Sequence, residues 1–213
     1  LSFITNSRFK NIDEKAKILG CTKETFIKIA LKHPSLFYIN LKLLEHNLSE
    51  LAKIFDIDHD RTILLVKSFP NILYQKPETI KENITNSSKI LNISEQKFIQ
   101  AVLKYPSLSA LKPENLKDKV YKLAKFLDIS EQKFIEVALK DAHLFFLKLE
   151  ILKQNINQCT ENFGTNKATF IKTALKAPNL FYQKPETLKQ NIKESAKVFN
   201  VSEKEFVAAA LLQ

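Results

Sequence analysis

The chain has 213 residues, 45% hydrophobic and 26% charged, with only two glycines. Such a composition fits a globular chain rich in helix formers, excludes a disordered or fibrous polypeptide, and disfavours strands and tight glycine turns. Lysine and arginine number 33 against 23 acidic residues, a formal charge of +10 that points to a polyanionic partner, either nucleic acid or an anionic membrane surface.

The opening residues, LSFITNSRFKN, lack the charged-then-apolar design of a secretion signal. The chain has no starting methionine and both ends fall inside a repeat, so it is expected to be a piece of a longer protein. An intracellular, non-secreted setting is expected, in bacterial cytoplasm or an organelle matrix, with no run long enough to cross a bilayer.

Residues 1–21 read as a part-repeat. From Thr22 onward a 36-residue period governs the chain: Pro34, Pro70, Pro106 and Pro178 keep that step, with Ala142 in the skipped place. Pro77, Pro113 and Pro185 repeat it, with Leu41 and Leu149 substituting. A period of this size marks a helical solenoid, in which stacking buries apolar faces that single units cannot. The expected full repeats are 22–57, 58–93, 94–129, 130–165 and 166–201, followed by a part-repeat at 202–213, all in one α-solenoid.

Each unit opens on a residue suited to capping a helix: Thr22, Asp58, Ser94, Ser130, Asn166 and Ser202. Four residues on, Phe26, Phe98, Phe134, Phe170 and Phe206 begin an apolar face, with Thr62 the departure. In the first unit that face continues through Ile27, Ala30 and Leu31, giving a first helix of about ten residues. The helix must stop near the first proline, because the residue before a proline is pushed out of the α region. A short PSLF-type turn follows. The second proline then suits the first position of a second helix, with Glu78, Glu114, Glu150 or Glu186 in its first turn. Leu44, Leu48, Leu51 and Phe55 form that helix's stripe over about four turns.

These residues resemble the repeat of the mitochondrial transcription termination factor (mTERF) family. The likeness is carried by Ala30, Pro34, Leu36, Phe37, Leu44 and Leu51, and by Val102, Pro106, Leu108, Leu116 and Leu123. Departures are Ser109 at the second apolar place, Ser87, Cys159 and Ser195 at the last leucine, and Ala142 at the proline. The resemblance implies an all-α, right-handed superhelical solenoid of two-helix repeats, each with a short 3₁₀ turn. It also implies binding of nucleic acid, usually duplex DNA, through a basic groove.

Several lysine columns have a local helical explanation. Lys32, Lys104, Lys140 and Lys176 fall in the last turn of the first helix, where a cation faces exposed carbonyls. Lys81, Lys117, Lys153 and Lys189 follow a glutamate by three residues, a spacing that weakly supports a helix. Lys53, Lys89, Lys125 and Lys197 close the second helix. By contrast, Lys76, Lys112, Lys148 and Lys184 sit just before the second-helix proline position, at the positive end of the dipole, where a cation is locally unfavourable. A phosphate placed there would meet both the lysine and the free N–H groups of a helix start. Simple solvation at a loop edge is the plainer reading.

The neighbouring aromatic column, Tyr38, Tyr74, Phe146 and Tyr182 with Ala110 as its gap, could stack on bases, but packing beneath the turn is the expectation. His33, Phe69, Tyr105, Asp141 and Ala177 share the variable place before the first proline. A modular reader would put its selective residues there, unless the position is merely an unconstrained surface.

Cys21 and Cys159 occupy unequal repeat positions, which argues against a disulfide framework. The four histidines scatter through unrelated columns, and no metal-ligand spacing, phosphate loop or nucleophile–base set is present in the sequence. No enzyme activity, metal or cofactor is therefore expected. The reading is a monomeric nucleic-acid-binding solenoid, DNA before RNA, with a peptide-binding scaffold as its rival and no membrane partner, since both apolar stripes are used in stacking.

Overall fold

A computed structural model describes residues 11–212, so the opening LSFITNSRFK and Gln213 fall outside it. Its regular elements are all helical, with no strand among the described residues. In chain order they are α1 (Ile12–Ile18), α2 (Lys23–Lys32), α3 (Leu41–Phe55), α4 (His59–Ser68), α5 (Pro77–Ile90), α6 (Glu95–Lys104), α7 (Pro113–Leu127), α8 (Glu131–Lys140), α9 (Leu149–Phe163), α10 (Lys167–Ala174), α11 (Pro185–Phe199) and α12 (Glu203–Leu212). Between the two helices of successive pairs lie 3₁₀ segments at Pro34–Phe37, Pro70–Tyr74, Pro106–Ala110, Ala142–Phe146 and Pro178–Phe181. The fold is an all-α tandem helical repeat of helix, 3₁₀ turn and helix.

The chain's contacts divide it into two compact units, one ending at Pro113 and the other beginning at Glu114. In the first, α3 packs beside both α1 and α5, and each of these three helices packs against the helix that follows it. In the second, α9 packs on α10 and α11, and α12 on α10 and α11. No described helix is long and apolar enough to cross a membrane.

Local chemistry explains the boundaries. All six expected caps accept a hydrogen bond from the backbone N–H three residues on, at 3.2 Å for Thr22, 2.7 Å for Asp58, 3.2 Å for Ser94, 3.1 Å for Ser130, 2.8 Å for Asn166 and 3.2 Å for Ser202. At the other end, the residue that closes each long helix adopts a left-handed backbone: Gly20, Asp56, Asn92, Asp128, Gly164 and Asn200 all have positive φ, and they too recur every 36 residues. The next N–H then reaches back to an orphan carbonyl of the helix end, as Ile57 does to Ala52 at 3.1 Å and Val201 to Ala196 at 3.0 Å.

The core is the predicted one, except that Leu31 is exposed and Ile27 and Phe206 are only half-buried. Phe26, Phe98, Phe134 and Phe170 are buried, as are Leu44, Leu48, Leu51 and Phe55. Thr62 is fully buried in the phenylalanine column because its hydroxyl donates to the Asp58 carbonyl at 2.8 Å. Leu31, expected on the apolar face, is 68% exposed, for α2 buries only Phe26 and Ala30. And α10 ends at Ala174, so Lys176 lies beyond the helix and not in its last turn. There the chain tightens: Leu175 N–H bonds the Ile171 carbonyl at 2.9 Å, and Lys176 N–H bonds the Thr173 carbonyl at 2.9 Å.

A further column ties consecutive repeats together. Asn47 Nδ2 donates to the Leu73 carbonyl at 2.9 Å, Asn83 to Ser109 at 3.0 Å and Asn155 to Phe181 at 3.1 Å. In α1 the buried Lys15 plays this part, its Nζ donating to the Phe37 carbonyl at 2.8 Å. The four acceptors hold equivalent places in their 3₁₀ turns. Ser109, the departure from the apolar pattern, keeps its buried hydroxyl bonded to the Pro106 carbonyl at 2.7 Å.

Two substitutions test these devices by urea denaturation. Asn155→Ala leaves the Phe181 carbonyl without its donor and is expected to cost about 1–3 kcal/mol. Gly164→Ala, with nothing within 4 Å of the added Cβ, is expected to cost about 1–2 kcal/mol through the left-handed backbone alone. An unshifted midpoint in either variant contradicts the corresponding account.

Candidate functional site

Two kinds of helix start alternate along the chain. The first helices close their ends with their own side chains. Lys76, Lys148 and Lys184 instead stand at the N-caps of α5, α9 and α11 with extended backbones and no side-chain cap, and Lys112 immediately precedes α7. All four lysines are exposed. In the first full repeat Asn40 occupies the place and does cap α3, accepting from Leu43 N–H at 2.8 Å. A lysine cannot accept that bond, so the starts of α5, α9 and α11 keep backbone donors pointing outward beside a cation. Proline opens α5 and α11, whereas Leu149 opens α9 and adds one more N–H there.

The second unit brings another cation into the same neighbourhood. Lys119 of α7 takes the place that asparagine holds in Asn47, Asn83 and Asn155. Burial, and then the charge of Lys148, hold its ammonium below the ordinary lysine value.

The second lysine group divides. Lys32, Lys104 and Lys140 are exposed at the last residues of α2, α6 and α8, where their charge meets helix carbonyls, while Lys176 stands past α10. Lys104 also lies over the Tyr105 ring, 5.2 Å from its centre. Among the described residues, no ion pair of the expected Glu78–Lys81 type forms. The ion pairs seen among the described residues include Lys23–Asp13, Lys53–Glu50, Lys122–Asp118 and Lys133–Glu136, all drawn from other positions.

The aromatic column departs from expectation. Tyr38 is 65% exposed, Tyr74 41% and Phe146 39%, so these rings do not fill space beneath their turns. Tyr182 is half-buried, its hydroxyl donating to Asp141 Oδ2 at 2.7 Å.

The variable column has one backbone conformation. His33, Phe69, Tyr105, Asp141 and Ala177 have φ between −125° and −141° and ψ between 71° and 92°. Asp141 keeps it although Ala142 follows in place of proline. All five are half-buried. Two of them bridge successive turns: His33 Nδ1 lies 3.1 Å from Asn71 Oδ1, and Asp141 accepts from Tyr182. Asp141 also meets His143 Nδ1 at 2.8 Å and the His143 N–H at 3.3 Å. At His33 and Asp141, therefore, the side chain is engaged with the following turn.

Burial pushes the Cys159 thiol up to about 11, with Glu186 adding to the effect, so it is protonated at neutral pH.

Among known proteins, the family model described as mTERF matches residues 4–137 of the chain. No curated protein matches it.

Asp141 supplies a pH test. Burial pushes its carboxyl up, but the hydrogen bonds from Tyr182 and His143 outweigh burial and hold it below its ordinary 3.8. A lowered carboxyl stabilises the fold above its unfolded value and loses that contribution as pH falls through its folded value. Wild type should therefore resist urea better than Asp141→Asn at neutral pH, with the gap closing only below about pH 4. A gap that persists unchanged into stronger acid would contradict the ionised-acceptor account.

Proposed function

The chain belongs to the mTERF family, whose helical repeats bind nucleic acid, and we propose that it grips the phosphate backbone of duplex DNA through Lys76 and Lys112 in the first unit and Lys148 and Lys184 in the second. The observation that carries the reading is the contrast between helix starts. The first helices satisfy their own N–H groups with Thr, Asp, Ser or Asn side chains, whereas α5, α9 and α11 leave theirs open behind a lysine. An anion there meets backbone donors, the positive end of the dipole and an ammonium together. Helix stability alone would favour the asparagine found at position 40.

Lys119 and Lys148 add a local argument. Burial, and then the nearby charge of Lys148, lower the Lys119 pKa, an effect that an anion between the two lysines would relieve, and neither forms an ion pair with a carboxylate among the described residues. Lys32, Lys104, Lys140 and Lys176 widen the basic surface and contribute through charge. Phosphate contacts of this kind fix register without reading sequence, so selectivity is weak or follows shape. The reading needs no catalytic group, metal or cofactor.

A salt titration of duplex binding tests it, comparing wild type with a variant carrying Lys76→Gln, Lys112→Gln, Lys148→Gln and Lys184→Gln. Each phosphate contact removed should flatten the slope of log affinity against log salt by about 0.9, so up to about 3.6 for four lysines. Changing the four to glutamate should weaken binding further. Unchanged affinity and slope would overturn the reading and favour a protein-binding scaffold.

A further inference from the structure

The middle of α4 reads Ile63, Leu64, Leu65, Val66, and a helix laid on a core from one side can bury only part of such an apolar run. Ile63, Leu65 and Val66 are buried, whereas Leu64 is 64% exposed. The corresponding place in the other four full repeats is polar, Lys28, Gln100, Glu136 and Lys172, so stacking of the repeats makes no demand for leucine there. A lone exposed leucine needs no explanation. This one stands on a groove. Between α4 and α6 lies an open trough of about 620 Å³, lined on its apolar side by Ile57, Leu64, Leu65 and the half-buried Leu103.

The charge on that lining has one sign. Its charged residues are Arg61, near the start of α4, and Lys104, at the end of α6, and no carboxylate lines the groove beside them. Asp58 reaches Arg61 only at 4.0 Å, between two exposed side chains, and such a pair is worth little in water. Arg61 also stands out by type, for apart from Arg8 every other basic residue except the histidines is lysine. A guanidinium grips a carboxylate through two parallel N–H bonds, a geometry an ammonium lacks. In the repeat register Arg61 corresponds to Lys97, seven residues before Lys104, so the two cations stand about 10 Å apart along the helix direction. An α-helix laid in the groove, with an acidic residue on each flank about two turns apart, meets both cations while its apolar stripe falls on Leu64, Leu65 and Leu103. Phosphates have no use for the apolar lining, and a bilayer surface presents no ridge to fill a trough.

We propose that the groove between α4 and α6 docks an acidic amphipathic helix of a partner protein, with Leu64 as the apolar contact and Arg61 as the carboxylate clamp. The inference is independent of the phosphate-binding reading, because it uses none of the four lysines on which that reading rests.

The test uses a fluorescein-labelled helical peptide with leucines at i, i+3 and i+7 and glutamates on both flanks, beside a copy carrying glutamine for every glutamate. Anisotropy with the full chain should show the glutamate peptide bound about tenfold or more tightly than the copy, a gap that narrows as salt rises. Leu64→Gln should weaken the glutamate peptide by about tenfold or more, since a buried leucine contact is lost. Its urea midpoint should not move, because the leucine is exposed and α6 carries glutamine at the same place. Arg61→Glu should lose the glutamate peptide and gain affinity for a lysine-flanked copy. Failure to bind the glutamate peptide, equal binding of the glutamine copy, or undiminished binding by Leu64→Gln overturns the proposal. So does a parallel loss by Leu64→Gln on duplex DNA or on anionic phospholipid vesicles, which would assign the groove to nucleic acid or to a membrane surface. Exchanging Lys76, Lys112, Lys148 and Lys184 for glutamine should leave peptide affinity unchanged, so the two readings fail separately.

Discussion

A carbonyl in a 3₁₀ turn, pressed against the helix of the preceding repeat, must find a donor or lose its hydrogen bond to burial. Lys15, Asn47, Asn83 and Asn155 supply that donor to Phe37, Leu73, Ser109 and Phe181. The bond does more than satisfy an oxygen. It pins each turn to its neighbour one residue before the aromatic position and three before the lysine position, so Leu73 leads to Tyr74 and Lys76, and Phe181 to Tyr182 and Lys184. Wherever these side chains are aimed, the amide behind them has set the place from which they start. Lys119 substitutes a charge at this place, adding to the local cation density near Lys148.

The two helix classes divide the remaining labour. Short helices begin on a side-chain cap, Thr22, Asp58, Ser94, Ser130 or Asn166, and bury phenylalanine, except α4, which buries Thr62 in its place. Long helices are closed at their far ends, where Asp56, Asn92, Asp128, Gly164 and Asn200 turn left-handed and return N–H groups to orphan carbonyls. Asn40 also caps the start of α3, but the starts of α5, α9 and α11 carry no side-chain cap. Glu78, Glu114, Glu150 and Glu186 in the first turn offset part of what the lysine costs there by complementing the dipole. They do not cancel the lysine by pairing with it, which leaves the ammonium groups available to an outside anion.

Much of this was legible in sequence because it is local. The proline period, the six caps and the phenylalanine column each express one residue's preference for one backbone state, and the helices begin where those preferences put them. Two equally regular columns escaped notice for want of the right question. Gly20, Asp56, Asn92, Asp128, Gly164 and Asn200 are all residue types that tolerate positive φ, so a column-by-column reading could have found the helix ends. Asn47, Asn83 and Asn155 form a similar column, but the partner of each is a backbone atom in another repeat, and only tertiary contact reveals it. Exposure was the hardest to foresee. Tyr38, Tyr74 and Phe146 match core residues in type and spacing, and Leu31 matches them in phase, yet which side of a turn its neighbour covers depends on packing between repeats. Lys176 fails for a smaller reason, the tightening of α10 by two residues at its end.

The variable column shows why the surface and the packing of such a repeat cannot be treated separately. A position that differs in every unit invites the view that it reads a ligand, yet His33 and Asp141 spend their polar groups on the following turn, through Asn71 and Tyr182. Tyr105 lies under the Lys104 ammonium instead. At His33 and Asp141, therefore, the residue helps to set how one turn meets the next. On the proposed phosphate-binding reading, variation at such a junction acts on the ligand at one remove, through the spacing of the lysine contacts. A backbone-binding surface can accept that, since phosphates recur at fixed intervals and tolerance in one contact is shared among its neighbours.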